Sequence, residues 1–450
     1  MAIDLPRETV LKILYDVNEK SAYSNISINK YLSGSGFRDI DRAFITDLVY
    51  GVIKWKLSID WVIEQFSSLK MSKLSPWILN ILRLGVYQLL YTDKIPESAA
   101  CNESVNLSKK YGHSASSRFV NGVLRNIARN KGSIAYPDGN KNFIGFLSVK
   151  YSHPEWMVKS WLERFGKDFT ESLLKSNNEI PDFTVRVNTL KASKEQLIHS
   201  LGKAGVEASG GRYVDEAVII KNPSAFSSLE AYKLGYFQVQ DESSMLVAKI
   251  LDPKPGELVM DVCSAPGGKA THIGELMNNK GTVIARDIYK HKAALVEEAA
   301  LRLGTSIVEA EVFDASELDE AYVGKADRVL VDAPCTGLGI IRRKPDIKWS
   351  RNASVKNEIA DLQMKILYTA SRYVKPGGII VYSTCTIERE ENMDVIEKFT
   401  GGDGDFELED ISPYLPGNLK ESYSIPGVIQ LFQNVNNIDG FFIARMRRKV

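Results

Sequence analysis

The 450-residue chain has few cysteines: four, at positions 101, 263, 335 and 385. That is too few for a disulfide framework. No Cys-x-x-Cys or paired His/Cys spacing occurs, which argues against a structural zinc site. Long apolar runs are missing too. The most apolar stretch, 78–91, is broken by Asn80, Arg83 and Gln88, so no span of about 18 apolar residues is available to cross a membrane. The opening MAIDLPRETV carries acids and lacks the apolar core of a signal peptide. The expectation is a reduced, cytoplasmic, multidomain protein.

The composition is 44% hydrophobic and 25% charged, ordinary for a chain that buries a sizeable core, and the length suggests about three domains. The net charge of +1 hides an asymmetry. Residues 1–135 hold 18 basic and 12 acidic residues, a balance of +6, which leaves −5 for the remainder. Within 101–131, Lys109, Lys110, Arg118, Arg125, Arg129 and Lys131 face the single acid Glu103. Such a stretch reads either as the footprint of a polyanion or as a solvated helix face.

Helical spacing dominates the first 130 residues, in Val10, Ile13, Leu14 and Val17, in Ile45, Leu48, Val49, Val52 and Ile53, and in Ile78, Ile81, Leu82, Leu89 and Leu90. The turn formers of KGSIAYPDGNKN, 131–142, mark a linker. At 152–155, Ser-His-Pro-Glu suggests a capping box opening a new helix that Gly166 would end. Short strands and helices alternate over 182–245. After Pro255-Gly256, strands are expected at 258–262, 282–287, 307–313, 328–333 and 378–383, with a helix over 355–374 stopped by Lys-Pro-Gly-Gly at 375–378. Strand–helix alternation implies a parallel, doubly wound sheet. The domains expected are therefore an all-α domain (1–135), a linker (136–150), a small α+β domain (151–245) and an α/β Rossmann-like domain (246–450).

In such sheets ligands bind beyond the carboxyl ends of the strands. The first of these strands runs into Cys263-Ser264-Ala265-Pro266-Gly267-Gly268-Lys269. Its glycines let backbone approach a ligand, and the helix that follows offers N–H groups to a carboxylate. The turn is not G-x-G-x-x-G, so a dinucleotide fits poorly. Asp287 ends the next strand, where ribose hydroxyls would be held, and Asp314 follows the third, near an adenine position. Each acid taken alone reads as a solvated loop residue; with the Gly-Gly turn they read as an adenosyl site. The fourth strand ends in Asp332-Ala-Pro-Cys335 and the fifth in Thr-Cys385. Strands joined by one crossover are usually neighbours, about 5 Å apart, so the two thiols should converge on one crevice. Cys101 reads as a buried apolar residue and Cys263 as a small residue in a tight turn.

An adenosyl methyl donor beside thiols suits pyrimidine chemistry. Carbon 5 of cytosine is a poor nucleophile until a thiolate adds at carbon 6, and the thiolate must afterwards leave. At the ordinary thiol pKa of about 8.5 only a few per cent is thiolate at neutral pH, so full ionisation is worth about 2 kcal/mol. Asp332 would hydrogen-bond the N3 edge of the ring.

CSAPGGKATHI from 263, DAPCTGLGIIRRKPDIKW from 332, YSTCTIEREEN from 382, QDESSML from 240 and DGFFIARMRR from 439 resemble the bacterial RsmB (Sun/Fmu) family of ribosomal RNA cytosine-5 methyltransferases over nearly the whole length. SRFVNGVLRN from 117 resembles that family's NusB-like RNA-binding domain. The resemblance implies S-adenosylmethionine held by Cys263, Ser264, Ala265, Pro266, Gly267, Gly268 and Lys269, with Asp287 on the ribose, Asp314 near adenine and Asp332 near the methionine end. It also implies Cys385 as nucleophile and Cys335 as the thiol that assists release; composition alone does not choose between them. No metal is implied. The partner implied is small-subunit (16S) ribosomal RNA, met by a monomer. Ser264 and Ala270 stand where the family more often has Ala and Thr, and Leu431-Phe-Gln-Asn434 departs from its Leu-Pro-His pattern near a final hairpin. Arg186-Val-Asn188 resembles a further signature, and Arg342, Arg343 and Lys348 fall in an expected loop. The arginines are expected on phosphates in preference to salt bridges, and Trp349 in a core in preference to supporting an extruded base.

Two rival functions follow from the same residues: an RNA-binding module that has lost catalysis, against which the intact motifs speak, and methyl transfer to DNA or protein. A zinc cytidine deaminase would need H-x-E and P-C-x-x-C ligands that are missing.

Overall fold

Asp4 accepts a hydrogen bond from the Arg7 N–H, and with Pro6 in the first turn this starts the helix Leu5–Lys20. The computed structural model describes residues 3–221, 226–402, 404–422 and 425–450. Helices Ser24–Leu32, Asp39–Lys54, Lys56–Phe66, Pro76–Leu90, Glu97–Tyr111 and Ser114–Arg129 follow. They bury one core that contains Val10, Ile13, Leu14, Ile45, Leu48, Val49, Ile81 and Leu82, with Cys101 inside it. Pro76–Leu90 is buried almost all round, which explains its long apolar run. Each polar break in that run has a partner: Arg83 forks onto Asp60 at 2.7 and 2.8 Å, Gln88 accepts from Arg7 at 2.8 Å, and Asn80 donates to the Pro76 carbonyl at 2.9 Å. Paired in this way, polar groups are tolerated in a core.

Two local expectations are corrected here. Only the first half of the expected 136–150 linker is irregular. Phe143–Tyr151 is a helix, opened by Asn142 accepting from the Gly145 N–H at 2.9 Å. Ser152 does not form a capping box. It ends that helix at φ 55, and its hydroxyl accepts from the Leu57 N–H at 3.0 Å. The next helix, Glu155–Phe165, starts after Pro154 without a side-chain cap and ends at Gly166, whose φ of 77 suits glycine. The residues through Glu179 form one compact unit that also takes in Ile341–Ala353. Trp349 packs on the helical core as expected and donates to the Ile53 carbonyl at 2.7 Å.

The second unit comprises Ile180–Ile340 and Ser354–Val450. Strands β1 (Phe183–Val187), β2 (Ala208–Gly210), β3 (Ala217–Ile220) and β4 (Phe237–Val239) form an antiparallel sheet in the order β2-β3-β1-β4. Helix Lys194–Lys203 packs on it, opened by a capping box from Ser193 and Gln196. The larger sheet contains β5 (Leu258–Asp261), β6 (Thr282–Asp287), β7 (Val308–Val312), β8 (Ala326–Asp332), β9 (Val374–Thr384), β10 (Phe406–Leu408), β11 (Val428–Leu431) and β12 (Phe441–Arg448). Its order is β10-β12-β9-β8-β5-β6-β7, with β11 beside β12. Strands β5 to β9 are parallel; β5, β6, β8 and β9 carry largely buried apolar runs, as strands covered on both faces do, while β7 at the edge alternates valine and alanine with Glu309 and Glu311. β10, β11 and β12 add an antiparallel end, so the final hairpin forms despite its unusual sequence.

The helix expected to reach 374 ends at Ser371. β9 already pairs at Val374 with Ala326 and resumes at Ile379 opposite Arg328, so 375–378 is a bulge within the strand and not a helix stop. Because β5 lies between β6 and β8, the strand order reverses at β5, and the crevice opens beyond its carboxyl end.

Candidate active site

At the end of β5 the chain makes a tight turn, the Gly267 N–H donating to the Ser264 carbonyl at 2.8 Å. Gly267 has φ 96, and a Cβ there would press on Val296 Cα at 3.0 Å. Only glycine meets both conditions. Ser264 is fixed to the end of β6 by two bonds to the Arg286 carbonyl, from its N–H at 2.8 Å and its hydroxyl at 3.0 Å. Helix Gly268–Leu276 then begins with no side-chain cap. Lys269 reaches across to β8 and pairs with Asp332 at 2.7 Å, while the other Asp332 oxygen accepts from Ser383 at 2.8 Å. Asp287 is buried and accepts from the Tyr289 N–H at 3.1 Å, and Phe313 N–H bonds the Asp287 carbonyl at 3.1 Å, tying the β6 end to Asp314. The Asp314 carboxyl is held below the usual range by the Ser316 N–H and hydroxyl.

Acids crowd this turn. Asp261, fully buried at the end of β5, has its carboxyl pushed up to about 7, first by burial and then by the Asp332 charge. Burial, Asp261, Asp332 and Asp287 together drive the Cys263 thiol well above its ordinary pKa. Cys263 thus sits in the tight turn among buried acids that disfavour its thiolate.

The neighbouring strand ends carry the other thiols. β8 and β9 pair in parallel up to Asp332 opposite Ser383, and two to three residues beyond, Cys335 and Cys385 bring their sulfurs to 3.1 Å. Both are partly exposed. The bond with Cys385 first, then burial, raises the Cys335 thiol well above its ordinary pKa. The loops are locked together: Gly339 N–H donates to the Cys385 carbonyl at 3.0 Å and Gly440 N–H to the Gly339 carbonyl at 2.9 Å. A Cβ on Gly339 would collide with the Gly440 carbonyl.

The predicted residues thus gather at adjoining strand ends, but three of the basic residues singled out, Arg186, Arg342 and Lys348, are buried. Arg186 is fully buried. It forks onto Glu275 at 2.7 and 3.0 Å, donates to the Gly268 carbonyl at 2.6 Å and bonds Gln240. It clamps the helix after the Gly-Gly turn to β1 and has no face left for a phosphate. Arg342 is buried as well, and Lys348, in the short helix Ile347–Ser350, is buried against the carbonyls of Lys54 and Ser152 at 2.7 and 2.8 Å. The sequence reading missed Asp261, an acid concealed in the apolar run of β5, and Ile288, an apolar side chain 50% exposed directly after Asp287.

A parallel sheet with a Gly-Gly-Lys turn, strand-end acids and paired thiols defines a Rossmann-like methyltransferase domain. Family comparison agrees: residues 248–447 match the 16S rRNA methyltransferase RsmB/F model, 4–129 the NusB family and 153–227 the RsmF/B-like ferredoxin-like domain. A Bacillus subtilis (strain 168) protein named "Probable ribosomal RNA small subunit methyltransferase B" is 39% identical over 445 residues, 98% of each chain. The crystal structure of PH0851 superposes over the full length of both chains with a TM-score of 0.83 at 30% identity. That of NSun6 from Pyrococcus horikoshii with SFG covers 66% of this chain and 98% of its own, with a TM-score of 0.59 at 25% identity. The chain belongs to the ribosomal RNA small subunit methyltransferase B family. It joins a NusB-like helical domain and a small middle domain to a methyltransferase domain with a mixed, largely parallel sheet. Among the described residues, no helix is long and apolar enough to cross a membrane.

Proposed function

We propose that this chain methylates carbon 5 of a cytosine in small-subunit (16S) ribosomal RNA, using S-adenosylmethionine and a covalent adduct on Cys385. The observation that carries the reading is the pair of sulfurs 3.1 Å apart at adjacent strand ends, next to the Gly-Gly-Lys turn. That turn suits the donor, because the uncapped start of Gly268–Leu276 leaves N–H groups for a carboxylate. Cys263 to Lys269 would line it, with Asp287 on the ribose, Ile288 offering an apolar face to adenine near Asp314, and Asp332 and Lys269 at the methionine end. When bound, S-adenosylmethionine supplies an electrophilic methyl group.

The Cys385 thiolate forms a bond to carbon 6, and the displaced ring electrons make carbon 5 the nucleophile that takes the methyl group. Asp332, near the ring, supports protonation at N3 as sulfur adds. Cys335 assists release by taking the carbon 5 proton; the electrons of that C–H bond form the carbon 5–carbon 6 double bond and expel the Cys385 sulfur with its electron pair, and the N3 proton is given back. The division of roles between the two thiols follows the family motifs, in which the Thr-Cys cysteine is the nucleophile and the Pro-Cys cysteine assists release. The RNA would be met by the exposed Lys109, Arg118, Arg125 and Arg129 of the NusB-like domain, in the cytoplasm and by a monomer.

The test is methyl transfer to unmodified ribosomal RNA. Cys385→Ala should abolish it, and Cys335→Ala should accumulate a denaturation-resistant protein–RNA adduct. An adduct with Cys385→Ala and none with Cys335→Ala would reverse the assignment.

A further inference from the structure

The two thiols are each followed by threonine, Cys335-Thr336 and Cys385-Thr386. The threonine hydroxyls lie 2.9 Å apart, fully buried behind the sulfurs. Behind them sits one carboxylate. Glu391, with no exposed surface, accepts from the Thr336 N–H at 2.8 Å on one oxygen and from the Thr336 hydroxyl at 2.5 Å on the other. Because the Thr336 hydroxyl donates to Glu391, it must accept from Thr386, whose own oxygen accepts from the Glu388 N–H at 3.4 Å. The chain of donors therefore runs in one direction, toward Glu391, and it needs both carboxylate oxygens as acceptors.

The carboxylate is itself fixed from several sides. Tyr382 donates to the Glu391 carbonyl at 2.7 Å. Its neighbour Asn392 accepts from Thr384 at 2.6 Å and donates to the Thr386 carbonyl at 3.1 Å. Gln363, on the helix Val355–Ser371, donates to the Pro334 carbonyl at 2.8 Å and lies 3.4 Å from Glu391. The peptide on each side of Cys335 is thus held, the Pro334 carbonyl by Gln363 and the Thr336 N–H by Glu391. Displacing a reacting group by about 1 Å can cost about a hundredfold in rate, so a clamp common to both thiols has kinetic consequences.

We propose that Glu391 is a positioning residue for the reaction: its single buried carboxylate holds Thr336 directly and Thr386 through Thr336, keeping the two preceding sulfurs paired over the same substrate ring. This rests on the thiol chemistry proposed above and extends it to a residue that touches neither substrate nor sulfur. The charged and titratable groups facing Glu391 are Cys335, Tyr382 and Glu388, the last paired with Lys356. Asp332 acts on the same thiol from the other side.

The experiment is single-turnover methyl transfer by the full chain on unmodified small-subunit ribosomal RNA, with S-adenosylmethionine affinity and the pH profile measured alongside. Glu391→Gln keeps the shape but loses one acceptor, and should slow methyl transfer by about tenfold or more while donor affinity stays within about twofold. It should also move the alkaline limb governed by Cys335 to lower pH, because a negative charge beside that thiol is gone; a merely structural role would leave the limb in place. Thr386→Val, which cuts the same chain with little change of volume, should slow transfer several-fold and serves as the deciding variant if Glu391→Gln does not fold. Transfer by the folded variants within about twofold of the parent, with superimposable pH profiles, overturns the proposal. If Cys335→Ala traps no adduct while Glu391→Gln still slows transfer and shifts the profile, the thiol roles fail and the positioning stands. If Cys335→Ala traps adduct normally and Glu391→Gln leaves transfer unchanged, the roles stand and the positioning fails.

Discussion

Around the Gly-Gly-Lys turn the acids crowd: Asp261, Asp287 and Asp332 all act on the Cys263 thiol, and Lys269 pairs with Asp332. Around the reactive thiols the polar atoms are mostly neutral, two threonine hydroxyls and main-chain groups, with the carboxylate of Glu391 set behind them. The difference follows from what each end has to hold. A sulfonium donor with an ammonium group carries positive charge, and surplus carboxylates lower its energy. The pyrimidine ring proposed for the thiol end is uncharged and would ask for a nucleophile at fixed distance, which hydrogen bonds supply better than long-range charge. Cysteine sits differently at the two ends, alone among buried acids at 263 and as a pair of sulfurs 3.1 Å apart at 335 and 385.

The firmest way to break this contrast is at the donor end, through Arg186. It is the buried cation that holds the helix after the turn, and Glu275 opposite is buried too. Arg186→Met would strand Glu275, whose carboxyl burial already pushes upward against the pull of Arg186. The expected loss is about 3–5 kcal/mol in chemical denaturation. The double variant Arg186→Met, Glu275→Met should recover most of it, since a buried ion pair replaced by apolar groups is often neutral. A double variant no more stable than the single one would show that the bonds to Gly268 and Gln240 matter more than the ion pair.

Asp332 joins the two ends, bonded to Lys269 of the turn and Ser383 of β9. Asp332→Asn keeps one acceptor and removes the charge. Methyl transfer should fall about 10- to 100-fold, about 1.4–2.8 kcal/mol of transition-state stabilisation, and donor affinity should weaken with it. A loss confined to the transfer step would move Asp332 wholly to the thiol end.

These arrangements were legible from sequence to different degrees, for physical reasons. The meeting of Cys335 and Cys385 follows from consecutive parallel strands lying side by side, a rule of topology that needs no atomic detail. Asp261 hid because an acid ending a buried strand looks like a break in an apolar run. Glu391 hid for the opposite reason: in Glu388-Arg389-Glu390-Glu391 a run of charges reads as solvent-facing, yet Glu388 and Glu391 are buried while Arg389 is exposed. Ser152 shows local chemistry losing to tertiary contact, since the Leu57 N–H, 95 residues away, takes the hydroxyl a capping box would have used. Arg186 finds its carboxylate 89 residues away across a sheet–helix contact, a partner that no local pattern encodes. The surplus of basic residues correctly marked the helices Glu97–Tyr111 and Ser114–Arg129 as exposed and positive, but could not tell a phosphate-seeking arginine at 342 from a buried one.

A last effect isolates the crowding itself. Unfolded, Asp261 ionises like an ordinary aspartate at about 3.9; folded, it holds its proton up to about 7. Between those values the folded chain binds the extra proton, so the stability this group contributes is present at low pH and drains away as pH rises through that window. Asp261→Asn has no charge to bury, and its stability relative to the parent should therefore climb from about pH 4 to about pH 7 and level off above. The full shift corresponds to about 4 kcal/mol; relaxation and water entry around a buried charge should leave about half of that. Denaturant melts at pH 4 and pH 8 bracket the window and measure it directly. A difference that does not change with pH would mean that Asp261 ionises normally, and that the acids of the donor end repel one another less than their positions imply. Saturating S-adenosylmethionine should shrink the difference by stabilising the charged form of Asp261 in the parent, which ties the crowding to the ligand it is proposed to receive.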